Sequence, residues 1–311
     1  MDSEGMIEAV REGGLLQPGT PLVAMLSGGR DSVCLLDLAV CLLGPGAVIA
    51  LHVNYRLRED SDRDESHCGA LCERLGVALE IVRPERPGKA GNLQAWARDE
   101  RYAAAAHLAQ PSGAAIATGH TADDQVETIL YRLASSPSRR ALLGMRPRAG
   151  NLVRPLLPFT RQQTTAYCEE RGLVWRDDPS NEASAYARNR VRHGLARALS
   201  DVHPAATQNV LRTAELLRDE AEVLDALVVA EIDGSNGSAG TIELERLAEL
   251  PPALRRLVVQ ALADRAAGRP VPGAARHADE VAALRRTGTA MLDLGSGVRA
   301  IVERGVLRAE L

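Results

Sequence analysis

The chain has 311 residues, enough for two ordinary domains, and its 45% hydrophobic and 25% charged residues are a globular composition. With 37 basic against 41 acidic residues the net charge is −4, which at face value argues against a generally basic nucleic-acid-binding protein. Aromatic residues are only 3%, with Phe159 the single Phe, which argues against a base-stacking platform of the kind single-strand binders use.

Asp2, Glu4, Glu8 and Glu12 precede any apolar run, so no signal peptide is expected. The apolar stretch Val33–Leu43 contains Asp37 and is too short to span a bilayer, so the expected location is the cytoplasm. The five cysteines (34, 41, 68, 72, 168) include a Cys68-x3-Cys72 pair at helical spacing with no matching second pair, which argues against a zinc site.

Along the chain, β-like runs alternate with helical patterns. Strands are expected at 21–26, 47–53, 77–82 and 114–118, and helices at 32–43, 60–75, 93–109 and 121–133. Repeated β-α-β units with nearly continuous apolar strands predict an α/β fold with a doubly wound parallel sheet, covered on both faces. Arg83–Asn92 and Ala134–Arg140 are rich in Pro, Gly and Ser and read as loops. A short strand is expected near 152, a helix over 161–171 and an Arg-rich helix after Asn181. The expected organisation is a catalytic domain over 1–200, a helical linker over 201–232 and a small α+β domain over 233–311. Two helices and a β-ribbon (290–294 and 298–302) are expected in the last of these, which begins at the Gly- and Ser-rich stretch 233–240.

Ser27-Gly28-Gly29-Arg30-Asp31-Ser32 lies between the first strand and the helix that follows. Two glycines allow a tight turn that aims backbone N–H groups at an anion, two hydroxyls add donors, and the helix dipole favours negative charge, so phosphate is the natural guest. The loop lacks the Lys of a Walker A motif and the third spaced Gly of a dinucleotide fingerprint. Asp31 is a carboxylate among anion-binding groups: it either caps the helix or meets Mg²⁺ or a cationic substrate beside the phosphates.

This loop resembles the SGGxDS loop of the PP-loop ATP pyrophosphatases, which implies ATP as co-substrate, Mg²⁺, and cleavage between the α- and β-phosphates. Further stretches resemble the tRNA(Ile)-lysidine synthetases of short form. His52-Val-Asn-Tyr-Arg-Leu-Arg58 is similar to their HVNHGLR element, with Tyr55 and Arg56 in place of His and Gly. Ala97-Arg-Asp-Glu-Arg-Tyr102 is similar to ARxxRY, and Gly119-His-Thr-Ala-Asp-Asp-Gln-Val-Glu-Thr128 to GHxxDDQxET. Arg154-Pro-Leu-Leu157, Trp175–Asn181 and Tyr186–His193 follow in the family's order.

By spacing, Asp124 and Glu127 share a helix face, where two carboxylates either gain from the helix dipole or join Asp31 in an acidic pocket for an ammonium or Mg²⁺. The resemblance implies ATP binding by residues 27–32 with His52, and catalytic roles for Asp31, Asp124 and Glu127. Free L-lysine would be held by Arg101, His120 and Asp124, although Arg101 also reads as a helix-surface charge. tRNA(Ile) with a CAU anticodon would meet Arg154, Arg188, Arg190 and Arg192. Those arginines repel one another unless RNA phosphate, or Asp177, Asp178 and Glu182, neutralises them. A tRNA-thiolating enzyme and a non-catalytic RNA-binding module are the alternatives, and a homodimer is the expected assembly. Residues 132–192 carry 12 arginines against five acids, so the mild overall acidity averages a basic segment of +7 with a remainder of −11. Net charge therefore does not exclude nucleic acid.

Overall fold

Strand β1 (Leu22–Met25) is apolar at all four positions and buried at all four, and it takes the middle of the main sheet. In the computed structural model, residues 1–57, 60–85, 93–135, 139–176, 187–233 and 240–311 are described, the side chains of Arg140, Ala187 and Arg188 excepted. The described chain divides into two compact units, Met1–Ala214 and Glu215–Leu311.

In the first unit the order of elements is α1 (Ser3–Glu12), β1, α2 (Arg30–Leu43), β2 (Val48–Val53), α3 (Ser61–Leu75), β3 (Ala78–Val82), α4 (Leu93–Ala109), β4 (Ala115–Ala117) and α5 (Ala122–Ser135). The short α6 (Arg139–Leu142), β5 (Arg148–Ala149), β6 (Leu152–Val153) and α7 (Arg161–Glu170) follow. Among the described residues the sheet runs β3-β2-β1-β4-β6-β5, parallel throughout except for β5. Alternate side chains of β1 serve opposite faces. Leu22 and Ala24 join the α2 core residues Leu35, Leu36 and Leu38, together with Tyr167 of α7. Val23 and Met25 pack with Ala105 and Ala109 of α4. This is the doubly wound arrangement that the apolar strands predict.

Local chemistry sets the element ends. Gly76 stops α3 in the left-handed conformation (φ 68°), and the N–H of Val77 returns to the Cys72 carbonyl, a pairing that closes a helix C-terminus. Thr160 and Gln163 form a reciprocal capping box that starts α7. The helix α1, which periodicity leaves unassigned, is capped by Asp2 and buries Met6 and Val10. Inside the core, the Asp37 carboxylate of α2 accepts from Tyr167 Oη (2.7 Å) and Arg171 Nε (3.0 Å), so a buried charge is paired and hydrogen-bonded.

The Arg-rich helix is described from Ala187. It runs as α8 (Ala187–Arg190), a π-helical stretch over Val191–Ala196 and α9 (Arg197–Val202), and α10 spans Ala206–Asp233. The second unit contains β7 (Thr241–Glu243), α11 (Leu244–Glu249), α12 (Pro252–Ala267), α13 (Ala278–Ala282), β8 (Thr289–Gly295), β9 (Val298–Glu303) and β10 (Val306–Glu310). Its antiparallel sheet runs β7-β10-β9-β8, so the expected two-strand ribbon, β8 and β9, is one side of a larger four-stranded sheet with β8 at its edge. Val228 and Ile232, in the segment expected to be a linker, are part of this unit's hydrophobic core.

The strand order reverses between β1 and β4, which opens a crevice at their carboxyl ends. The chain after β4 passes so close to the start of α2 that a Cβ on Gly119 would lie 2.8 Å from the Asp31 carbonyl oxygen and 3.1 Å from the Ser32 nitrogen. Backbone cannot yield as a side-chain tip does, so Gly119→Ala is expected to destabilise the first unit by about 1–3 kcal/mol. Urea unfolding of wild type and variant measures it.

Candidate functional site

The crevice is built from the two loops that meet at the switch point. Gly28 adopts φ +83°, and a Cβ there would press on Cys68 Sγ and His67, so the turn needs glycine for both conformation and space. Ser32 Oγ donates to the Gly29 carbonyl (2.7 Å) and accepts from Ser27 N (3.2 Å), and the Ser27 and Ser32 hydroxyls lie 3.1 Å apart. These bonds fold the loop over the start of α2, with Gly29 as the N-cap. The N-cap role considered for Asp31 therefore falls to Gly29. Asp31 stands in the first turn, where Oδ1 accepts from Thr164 Oγ1 (2.6 Å) and Arg30 Nε (3.1 Å).

His52 is buried below this loop. Its Nδ1 lies 2.9 Å from the Leu26 carbonyl oxygen, which ties the end of β2 to the end of β1, and Cys68 Sγ is 3.4 Å away. From above, the chain after α7 crosses the loop, and Arg176 N donates to the Gly28 carbonyl (3.0 Å) while its Nε pairs with Asp64 (2.6 Å).

The segment after β4 supplies the second wall. His120 Nδ1 is 2.7 Å from Thr118 Oγ1. Asp124 Oδ2 accepts from the Thr121 backbone and hydroxyl, which fixes the first turn of α5. Gln125 serves the fold: its amide brackets Met145, donating to the carbonyl (2.8 Å) and accepting from the backbone N–H (2.6 Å).

Arg161 is the residue that sequence reasoning missed. Its Nη2 meets Asp124 Oδ1 (2.7 Å), its Nη1 meets Glu127 Oε1 (2.8 Å), and its backbone N–H donates to Asp123 Oδ2 (2.7 Å). Burial works against its charge, but Asp124 and Glu127 outweigh that and hold its pKa above the ordinary value. The two carboxylates are thus bridged by a guanidinium, and they do not form the purely acidic pocket that spacing suggested. Arg192 Nε also lies 3.7 Å from Glu127.

The remaining expected residues divide. Arg101 is on α4, its guanidinium carbon 5.7 Å from the Tyr102 ring centre, and its Nε is buried with no hydrogen-bond partner among the described residues. Arg154, expected at an RNA surface, is 7% exposed and donates to the Arg146 carbonyl (2.6 Å), so it holds the chain before β5 and is not displayed. Arg190 is exposed. The Arg188 side chain, Asp177, Asp178 and Glu182 lie outside the described residues. No described group of three or more His, Cys, Asp or Glu could hold a metal ion. Burial pushes Cys68 up to about 12 and Cys72 up to about 11, so both are protonated thiols, unlike a reactive cysteine pair.

A PP-loop domain family matches residues 8–199. The tRNA(Ile)-lysidine synthase of Salinispora tropica is 37% identical over 310 residues, covering 95% of this chain and 92% of the relative. The chain belongs to the tRNA(Ile)-lysidine synthase family. The Thermus thermophilus member is 38% identical over 261 residues, 82% of this chain, and this chain spans only 51% of its length. Among solved structures, the U34-tRNA thiolase NcsA from Methanococcus maripaludis superposes with a TM-score of 0.58 at 18% identity, over 69% of this chain and 78% of that one, a likeness of fold alone. Among the described residues, no helix is long and apolar enough to cross a membrane.

Within this lysidine-synthase framework, Arg161→Ala leaves the nearly buried carboxylates of Asp124 and Glu127 without their closest cation. It is expected to cost about 3–5 kcal/mol of stability, with Arg161→Lys intermediate. Chemical denaturation of the two variants beside wild type tests this.

Proposed function

We propose that the protein is an ATP-dependent ligase that joins free L-lysine to C2 of cytidine 34 in the CAU anticodon of tRNA(Ile), acting in the cytoplasm. The observation that carries this reading is the backbone contact of Gly119 with Asp31. It joins the phosphate-type loop to the Gly119–Thr128 block in a chain of the tRNA(Ile)-lysidine synthase family.

In the first step the cytidine C2 oxygen attacks the α-phosphorus of ATP, and the bond to pyrophosphate breaks. Backbone N–H groups of Gly28 and Gly29, the hydroxyls of Ser27 and Ser32, and the α2 N-terminus would hold the phosphates and stabilise the charge on the leaving group. The lone Asp31 carboxylate fits Mg²⁺ only in the form in which substrate phosphates complete the coordination, and the ion would screen phosphate charge there. His52 would act from below the loop, fixing its position rather than touching ATP.

In the second step the ε-nitrogen of lysine attacks C2, the C2–O bond breaks and AMP leaves. The lysine ammonium must first lose a proton. Asp124 spends both oxygens on Thr121 and Arg161, whereas Asp31 commits only Oδ1, to Thr164 and Arg30 Nε, and its Oδ2 has a single 3.5 Å contact from Arg30 Nη2. That difference favours Asp31 as the proton acceptor and gives Asp124 and Glu127 the task of fixing Arg161 at the wall. Arg101, with its buried free Nε, suits the lysine α-carboxylate.

Incubation with labelled lysine, ATP–Mg²⁺ and bulk tRNA is expected to place label in RNA only when ATP is present. Label-free RNA, or labelling without ATP, refutes the ligase. Asp31→Asn is expected to lose at least 100-fold in turnover with RNA still bound; unchanged labelling would remove Asp31 from the chemistry. Arg190→Ala is expected to lower the slope of log K against log salt by about 1 while turnover at saturating tRNA holds, measured by filter binding.

A further inference from the structure

Tyr55 and Trp96, two of only eight aromatic residues in the chain, meet at the carboxyl end of β2. Their ring centres are 5.7 Å apart at an interplanar angle of 67°, an edge-to-face pair. Tyr55 Oη donates to the Ala97 carbonyl (2.6 Å), which locks the ring onto the first turns of α4, and neither ring is fully buried.

The residue that follows is strained. Arg56 adopts φ +51°, a conformation that favours glycine. Among the described residues two other non-glycine residues share it, Ser296 and Arg304, and both occupy tight hairpin turns where a positive φ is ordinary. Arg56 is in no such hairpin. It is held by an Asx-type bond from its N–H to Asn54 Oδ1 (3.0 Å), and buried Asn54 is in turn fixed by Asp62 and Glu65. The result is an exposed arginine that directly follows Tyr55 of the aromatic pair in the chain, on the same edge of the sheet as the phosphate-type loop. Strain retained by an over-determined surrounding marks a place where the displayed side chain has a use.

We infer that Tyr55, Arg56 and Trp96 form a docking site for one unpaired nucleotide of the RNA, its base stacked on the aromatic pair and its phosphodiester met by Arg56. Aromatic faces and an adjacent arginine are what single-stranded RNA recognition uses, and one pair offers stacking for one base rather than a platform. The cation is what favours an RNA nucleotide over the adenine of ATP, whose phosphates belong at the loop after β1. The inference rests on the proposed RNA substrate, and it names a contact outside the reacting groups.

The test uses the full chain, an RNA hairpin with CAU in its loop, and ATP, each titrated separately. Trp96→Ala is expected to weaken hairpin binding about tenfold, the effect of losing one stacked base. Arg56→Gly relieves the backbone strain, so it folds at least as well as wild type by thermal melting. It is expected to weaken hairpin binding a few-fold and to flatten the salt slope by about 1. ATP affinity stays unchanged in both. Unchanged hairpin affinity in both variants overturns the inference, and so does a loss confined to ATP, which would assign the pair to adenine. Direct binding keeps the two readings apart: a wild type that binds the hairpin without incorporating lysine refutes the ligase alone, whereas labelling with unaltered variant binding refutes this site alone.

Discussion

The first unit is organised around one close approach, the Gly119 backbone against the backbone of Asp31 and Ser32. Parallel strands β1 and β4 lie side by side, and their chains leave the sheet at the same edge. The loops after them must therefore share a crevice, and the absence of a side chain at residue 119 lets that crevice close down to backbone contact. The phosphate-type loop is then confined from three sides. Gly119 abuts the start of α2, His67 and Cys68 lie behind Gly28, and Arg176 bonds across the top to the Gly28 carbonyl. A loop held this way has its backbone fixed in advance, which is the general requirement for meeting charge without reorganisation.

Charge is arranged by internal pairing more than by the local run of residues. The segment 132–192 has a formal excess of positive charge, yet several of its arginines are engaged by groups within the unit. Arg161 bridges Asp124 and Glu127, Arg171 meets Asp37, Arg176 meets Asp64, and Arg132 donates to the Gly144 carbonyl. Each neutralises or satisfies a group elsewhere in the unit. Among the described residues the exposed positive charge of this segment is accordingly smaller than the sequence count implies, and Arg190 is exposed on its helix. Arg192, half turned toward Glu127, joins that helix to the wall of the crevice through a part-buried ion pair.

Burial also separates the two kinds of polar residue in the motif stretches. Gln125 and Arg154 belong to motifs that resemble functional signatures, and both hold backbone: Gln125 the turn at Gly144–Met145, Arg154 the carbonyl of Arg146. A buried amide or guanidinium without such partners would cost more than its packing returns. Thr164 does the converse. It lies outside the motif stretches, yet its hydroxyl reaches Asp31 from α7, and the Thr160 capping box starts that helix at the residue that presents Arg161.

Sequence alone determined the parallel strands, the helices between them and the phosphate-type loop, because those follow from local composition: unbroken apolar runs, period-3.6 patterns, and two glycines at a strand-to-helix turn. It also determined which carboxylates share a face of α5, since that depends only on spacing along one helix. Only the tertiary structure decided which cation answers them. Arg161 is 34 residues from Glu127, Thr164 is 133 from Asp31, and Tyr55 and Trp96 come from different elements. The same holds for Arg154, which reads like its neighbouring arginines until the fold buries it. Partner choice and burial are set by how distant segments pack, and no local pattern in the chain carries that information.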